Sequence, residues 1–90
     1  MYYTYVLLSM KDNNFYVGFS KDLKLRFEQH GKGLVETTRD RRPLILIYYE
    51  ACINKDDATK REKYIKSGMG KKYLKIIFNQ YIFLMRIWRF

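Results

Sequence analysis

The apolar pattern opens with a run from Tyr2 to Met10, aromatic and β-branched, that stops at the polar cluster Lys11-Asp12-Asn13-Asn14. Phe15 to Phe19 is a second short run of the same kind, and together the two predict a β-hairpin. The period then changes. Leu23 and Phe27 fall four residues apart behind Ser20, which predicts a helix over 21–30 with Ser20 as N-cap and Asp22 in the first turn. Gly31 and Gly33 end it. Residues 34–43 are polar and basic and finish at Pro43, so they read as a loop. Leu44 to Tyr49 is an unbroken apolar run, the pattern of a third strand buried on both faces. Asn54 to Asp57 supply an N-cap region for a helix from Ala58 to Ser67 that closes at Gly68. Gly70 restarts the chain into a last helical segment from Lys71 to about Phe83. This order, ββαβαα, predicts a small α+β domain: a three-stranded sheet, made of a hairpin plus one strand, with helices packed on it.

Composition adds a boundary and a direction. Of the 90 residues, 48% are hydrophobic, enough for one modest core, and no linker or repeat divides the chain. Residues 1–80 are expected to form the domain, with 81–90 as an apolar and basic tail continuing the last helix. The stretch from Tyr73 to Phe90 is interrupted by Lys75, Asn79, Gln80, Arg86 and Arg89, so no membrane span is expected. The N-terminal run lacks a basic n-region and a small-residue cleavage site, and Cys52 has no partner for a disulfide. Both features point to a cytoplasmic protein. The net charge of +9 is uneven: residues 1–54 carry 8 basic and 6 acidic side chains, and residues 55–90 carry 10 and 3. A basic half of this kind suits a polyanion, because each neutralised phosphate releases condensed counterions. It also suits the Lys- and Tyr-rich composition alone.

Two charged positions resist a pure packing account. Ala58, Glu62, Ile65 and Met69 fall at helical spacing, so a carboxylate sits in an apolar stripe, where an ionised group needs a cation or several donors. Alternatively Glu62 lies at the stripe's edge and pairs with Lys66. Asp22, Arg26 and His30 share a helical face, where Arg26 and His30 could together face a phosphate. Alternatively that face is solvated, with Asp22 paired to Arg26.

The hairpin tyrosines connect these positions. Tyr3-Thr4-Tyr5 and Tyr16-Val17-Gly18 put two tyrosines on adjacent antiparallel strands, with Arg26 ten residues after Tyr16 and His30 four later. The pattern Y-V-G-x₃-D-L-x₂-R-x₃-H, Tyr16 to His30, and the run K-R-E-K-Y-I-K-S-G-M-G-K, Lys60 to Lys71, resemble the GIY-YIG nuclease superfamily. The likeness extends from Tyr3 to about Asn79 and is greatest to its small stand-alone members, relatives of the N-terminal domain of the bacterial excision-repair nuclease. It implies a Mg²⁺-dependent (or Mn²⁺-dependent) DNA endonuclease, with a place in DNA repair or recombination. On that likeness Tyr5, Tyr16, Arg26, His30 and Glu62 are the catalytic residues, and Glu62 holds the metal.

The resemblance implies that Tyr5 takes the proton from the attacking water while Tyr16 and His30 orient that water or a phosphate oxygen. Arg26 neutralises transition-state charge. Gly18 matches the motif glycine and is expected to let the backbone turn into the helix without a Cβ clash. The DNA backbone is expected to meet Lys21, Arg39, Arg41, Arg42, Lys71, Lys72 and Asn79. Three positions depart from the family pattern. The first motif lacks its opening glycine, and Phe19 stands where the repair branch has a lysine, whose role is then absent or passes to Lys21. The family's late asparagine is expected twelve to fifteen residues after Glu62, whereas Asn79 lies seventeen after it. Two rival readings use the same fold without turnover: a non-catalytic nucleic-acid-binding module, and a protein-interaction domain. The second would use Tyr81 to Phe90 to bind a second copy or a protein partner.

Overall fold

The computed structural model describes residues 1–70, 72–76 and 79. Lys71, the end of the last helix and the tail surface from Tyr81 to Phe90 lie outside the described residues. β1 (Tyr2–Ser9) and β2 (Phe15–Ser20) form the expected hairpin. Its turn is built by side chains. Ser9 Oγ accepts from the Lys11 and Asp12 amides and donates to the Arg41 carbonyl, while Asp12 accepts from the Asn14 amide. Asn13 takes φ 58°, a left-handed conformation that asparagine tolerates.

α1 (Leu23–Gly31) begins two residues later than the pattern predicts. Asp22 is the N-cap, accepting from the Leu25 amide at 3.0 Å, while Ser20 bonds to the backbone of Asp22 and shapes the turn before it. Either residue can cap. The strand continues through Ser20, so only Asp22 is left at the boundary. Residues 34–43 are not a plain loop, since they hold one helical turn, α2 (Glu36–Arg39), anchored inward by Val35 and Thr38.

β3 (Leu44–Cys52) completes an antiparallel sheet of order β2-β1-β3. The continuous apolar run suggests a strand buried on both faces. It is instead an edge strand of half-buried residues with Tyr49 exposed, and β1, at the centre, carries the fully buried run from Thr4 to Ser9. A helix over Lys55–Lys66 covers one face of β1 and α1 the other, so side chains pointing either way are buried and alternation is lost there.

α3 (Lys55–Lys66) is capped by Asn54, which accepts from the Asp56 amide. It lies on one face of the sheet, where Val6, Val17, Ile65 and Leu74 form the core with Phe15, Ile47 and Tyr48 packed around them. Three bonds fix it there. Thr4 Oγ1 donates to the Ala58 carbonyl at 2.8 Å, and Arg61 grips Glu50 of β3 through two nitrogens at 2.8 and 2.6 Å. Tyr48 also donates to Glu50, and burial together with that carboxylate pushes its hydroxyl up to about 12. Of the apolar stripe, Ala58 and Ile65 are buried, but Met69 is exposed because the helix stops at Ser67. Gly70 then lies on the backbone of Tyr64 and Ile65, where no Cβ fits. Residues 68–70, 72–76 and 79 are again helical. No described helix is long and apolar enough to cross a membrane.

Candidate active site

The other face of the sheet carries the motif residues. Strand pairing sets Tyr5 directly across from Gly18 and Leu7 across from Tyr16, so Tyr5, Tyr16 and Gly18 share one face, opposite to Val6 and Val17. The Tyr5 ring lies across Gly18, and a Cβ there would run into its Cζ and hydroxyl oxygen. Gly18 has no positive φ. It is therefore required by this close approach rather than by a turn into the helix, which corrects the expected role.

α1 crosses this face and delivers His30. Both ring nitrogens are engaged: Nε2 lies 2.8 Å from the Tyr5 hydroxyl and Nδ1 2.7 Å from Thr38 Oγ1. Tyr5, His30 and Thr38 are all essentially sealed from solvent. The Tyr16 ring closes the cluster, 5.2 Å from His30 and 6.4 Å from Tyr5 between centroids. Burial, then the Arg26 guanidinium, lowers the His30 pKa to about 4, so its ring is neutral at pH 7. The sequence suggests His30 as a titratable donor that could face a phosphate. In this position it is neither charged nor open to one, and it holds Tyr5 instead.

Tyr5 is pulled in two directions. Burial raises its pKa, and this outweighs the hydrogen-bonding and charge of Arg26, which lower it; the nearby Tyr16 and Glu62 raise it further. Arg26 also donates to Gln29 Oε1 at 3.3 Å. No side-chain pair forms between Arg26 and Asp22, whose carboxylate caps the helix. Glu62, on α3, adds its charge to what raises the Tyr5 pKa. Its carboxylate is not unpaired, because Lys66 donates to Oε1 at 3.2 Å, the edge-of-stripe alternative. Among the described residues no bond is made to Oε2.

That arrangement leaves one carboxylate oxygen of Glu62 open to a cation. No three His, Cys, Asp or Glu side chains cluster among the described residues. Mg²⁺ commonly uses one or two carboxylates, several waters and the substrate's phosphates, so one carboxylate with an open oxygen suffices.

A groove of about 1040 Å³ runs along the free edge of β2, lined among others by Asn13, Asn14, Tyr16, Lys66, Lys75 and Asn79. Tyr16, half-buried, is the motif tyrosine that reaches it; Tyr5 does not. The expected DNA contacts separate into two sets. Lys21, Arg39, Lys72 and Asn79 are exposed. Arg41 is paired with Asp12 at 2.9 Å, a contact that holds the Asp12 carboxyl down to about 2. Arg42 donates to the carbonyls of Arg39 and Gly31 and so ties α2 to the end of α1. These two arginines brace the chain, a use that a run of basic residues does not reveal.

The profile of the GIY-YIG catalytic domain matches residues 1–74. The chain belongs to the GIY-YIG family. It is 38% identical to a UPF0213 protein of Staphylococcus saprophyticus over 77 residues, 84% of this chain and 93% of the relative. A UPF0213 protein of Staphylococcus aureus is 36% identical over 79% of this chain and 88% of its own length. The solution NMR structure of a UPF0213 protein from Bacillus halodurans superposes with a TM-score of 0.53 at 31% identity, covering 86% of this chain and 85% of that one. The family is one of nucleases, and in this GIY-YIG domain groups from β1, β2 and α1 meet around Tyr5. Thr38 and Gln29 belong to the same constellation and carry no sequence signature. Thr38 stands in a polar segment and gains its place only when α2 folds under α1.

Proposed function

We propose that this GIY-YIG domain is a Mg²⁺- or Mn²⁺-dependent endonuclease that hydrolyses DNA phosphodiesters. The observation that supports the reading is the cluster of Tyr5, Tyr16 and His30 on one face of the sheet, with the charge of Arg26 acting on Tyr5. A cation and two phenols set beside a groove suit the binding of a phosphate for in-line attack.

Arg26 carries a permanent charge and five donors, so it suits the growing negative charge on a phosphoryl group. Glu62 would hold the cation through the oxygen that Lys66 leaves open. A bound divalent ion supplies Lewis-acid polarisation of the phosphoryl oxygen. The burial of Tyr5 favours its neutral phenol and removes it from solvent, so the reading from the family likeness is revised. Tyr16, which lines the groove, is the tyrosine positioned to meet the attacking water, and Tyr5 and His30 hold it in place. Arg39, Lys21 and Lys72, together with groove residues Lys66, Lys75 and Asn79, provide sequence-independent contacts to the DNA backbone. Participation in DNA repair or recombination follows from the same likeness.

The test is nicking of supercoiled plasmid and cleavage of branched DNA by purified protein, with Mg²⁺ and with EDTA. Metal-dependent nicking that Arg26→Ala abolishes is the expected result. Salt-sensitive DNA binding with no cleavage under any metal would establish the binding-module alternative.

A further inference from the structure

Tyr5 pairs directly with Tyr49 of β3, and Leu7 with Leu46, so these β3 side chains stand on the same face of the sheet as the motif residues. α1 covers Tyr5 at the centre of that face and leaves β3 beside it partly uncovered. Between the helix and this edge strand lies an open cleft of about 940 Å³, lined by Tyr3, Tyr49, Phe27 and Leu46 and bordered by Lys21 and Lys24. Tyr49 is 55% exposed, whereas Tyr5, its partner across the sheet, is 1% exposed. The Tyr3 and Tyr49 rings meet edge to face, with centroids 6.3 Å apart and planes at 60°.

Aromatic surface is thus open to solvent beside exposed lysines. The charged residues at the cleft are Lys21 and Lys24 against Asp22 and Glu28. The Asp22 carboxylate is turned to the Leu25 amide, which leaves the two lysines opposed by Glu28. Rings with cations beside them match a nucleotide, whose base offers a π-face and whose phosphate offers a negative charge. In a duplex each base is stacked on its neighbours, so a tyrosine ring reaches a base face only where the strand is unpaired. Lys21 also belongs to the surface assigned above to the DNA backbone, so the cleft is continuous with that surface.

We propose that the cleft between α1 and β3 binds an unpaired stretch of DNA, with a base stacked on Tyr49 beside Tyr3 and the flanking phosphates met by Lys21 and Lys24. The purpose of the site rests on the nuclease reading, since it would select DNA with a single-stranded portion near the phosphate to be cut. The binding itself needs neither metal nor cleavage.

The experiment is fluorescence anisotropy in EDTA with two labelled probes. One is an oligothymidylate of about ten nucleotides, within the span of one single-strand site, and the other a blunt duplex of the same length. Wild type is compared with Tyr49→Thr, Tyr49→Phe and Lys24→Ala. Threonine suits a strand and removes the ring, and circular dichroism checks that the variant is folded. Tyr49→Thr should weaken oligothymidylate binding about 5- to 100-fold and leave duplex affinity unchanged, while Tyr49→Phe binds both as wild type does. Lys24→Ala should reduce the slope of log affinity against log salt for the oligothymidylate by about 0.7. In ¹³C-tyrosine NMR of the wild-type protein the Tyr49 ring protons should move upfield on adding oligothymidylate, a readout that needs no variant.

Unmoved Tyr49 signals overturn the proposal, as does a Tyr49→Thr protein with wild-type affinity for the oligothymidylate. Equal losses on both probes overturn the preference for unpaired DNA. Self-association that Tyr49→Thr abolishes, with no oligothymidylate binding by wild type, assigns the cleft to a second copy and also overturns it. A protein that binds the oligothymidylate through Tyr49 and never cuts DNA defeats the nuclease reading and leaves this site standing.

Discussion

Substituting Gly18 with alanine puts a methyl group where the Tyr5 ring lies, in contact with Cζ and the hydroxyl oxygen. Tyr5 is sealed from solvent and its strand pairs with β2 at this position, so relief requires either tilting the ring or separating the two strands. Overpacking of this kind costs about 1–3 kcal/mol. Tilting also breaks the bond to His30 and leaves two buried polar atoms short of a partner, a further penalty of about 1–3 kcal/mol. Removing a glycine from a strand returns roughly 0.5–1 kcal/mol of backbone entropy. The net expectation is a loss of roughly 2–4 kcal/mol, and a drop in Tm of about 10 °C or more for a domain of this size.

Urea unfolding followed by circular dichroism measures it. Gly31→Ala is the control, since a Cβ there meets nothing within 4 Å and α1 is helical; it should be neutral or slightly stabilising. Tyr5→Leu shortens the obstructing side chain, so Gly18→Ala should cost at least about 1 kcal/mol less in that background. A Gly18→Ala protein as stable as wild type, with the His30 ring signals unmoved, would refute the close-approach argument.

Three further outcomes follow from the same geometry. The His30 pKa of about 4 is depressed below the ordinary value of about 6.5, so folding favours the neutral ring, and its contribution is complete above about pH 6.5 and lost as pH falls toward 4. Between pH 7.5 and 5 stability should drop by about 2 kcal/mol in urea titrations, and a folded His30→Gln protein should lack that slope. Glu62→Gln should abolish metal-dependent cleavage with DNA affinity kept, while stability shifts by no more than about 0.5 kcal/mol because only the pair with Lys66 is weakened; retained cleavage would remove Glu62 from metal binding. Arg39→Ala should reduce the slope of log affinity against log salt by about 1 with stability unchanged. Arg41→Ala, which loses Asp12, should instead lower Tm.

The reach of the sequence can be judged from individual residues. Alternation, turn chemistry and capping are local properties, so the hairpin of β1 and β2, α1, β3 and α3 could be read from neighbours a few residues apart. The motif residues Tyr5, Tyr16, Gly18, Arg26 and Glu62 were legible for a different reason, namely their order and spacing. What the sequence could not determine was environment. The apolar run in β3 predicts full burial, yet position in the sheet gives that to β1. Asp22 and Ser20 are equivalent caps until the strand extends through Ser20. His30 reads as a titratable phosphate contact because helical spacing puts it beside Arg26. Only packing under Thr38, eight residues on, and against Tyr5, twenty-five residues back, makes it a neutral link with no free nitrogen. Gly18 is recognisable as a glycine position, but its cause, an aromatic ring lying across the strand, exists only once β1 and β2 pair. Burial and partner choice depend on side chains distant in sequence, and those distances close only in the folded chain.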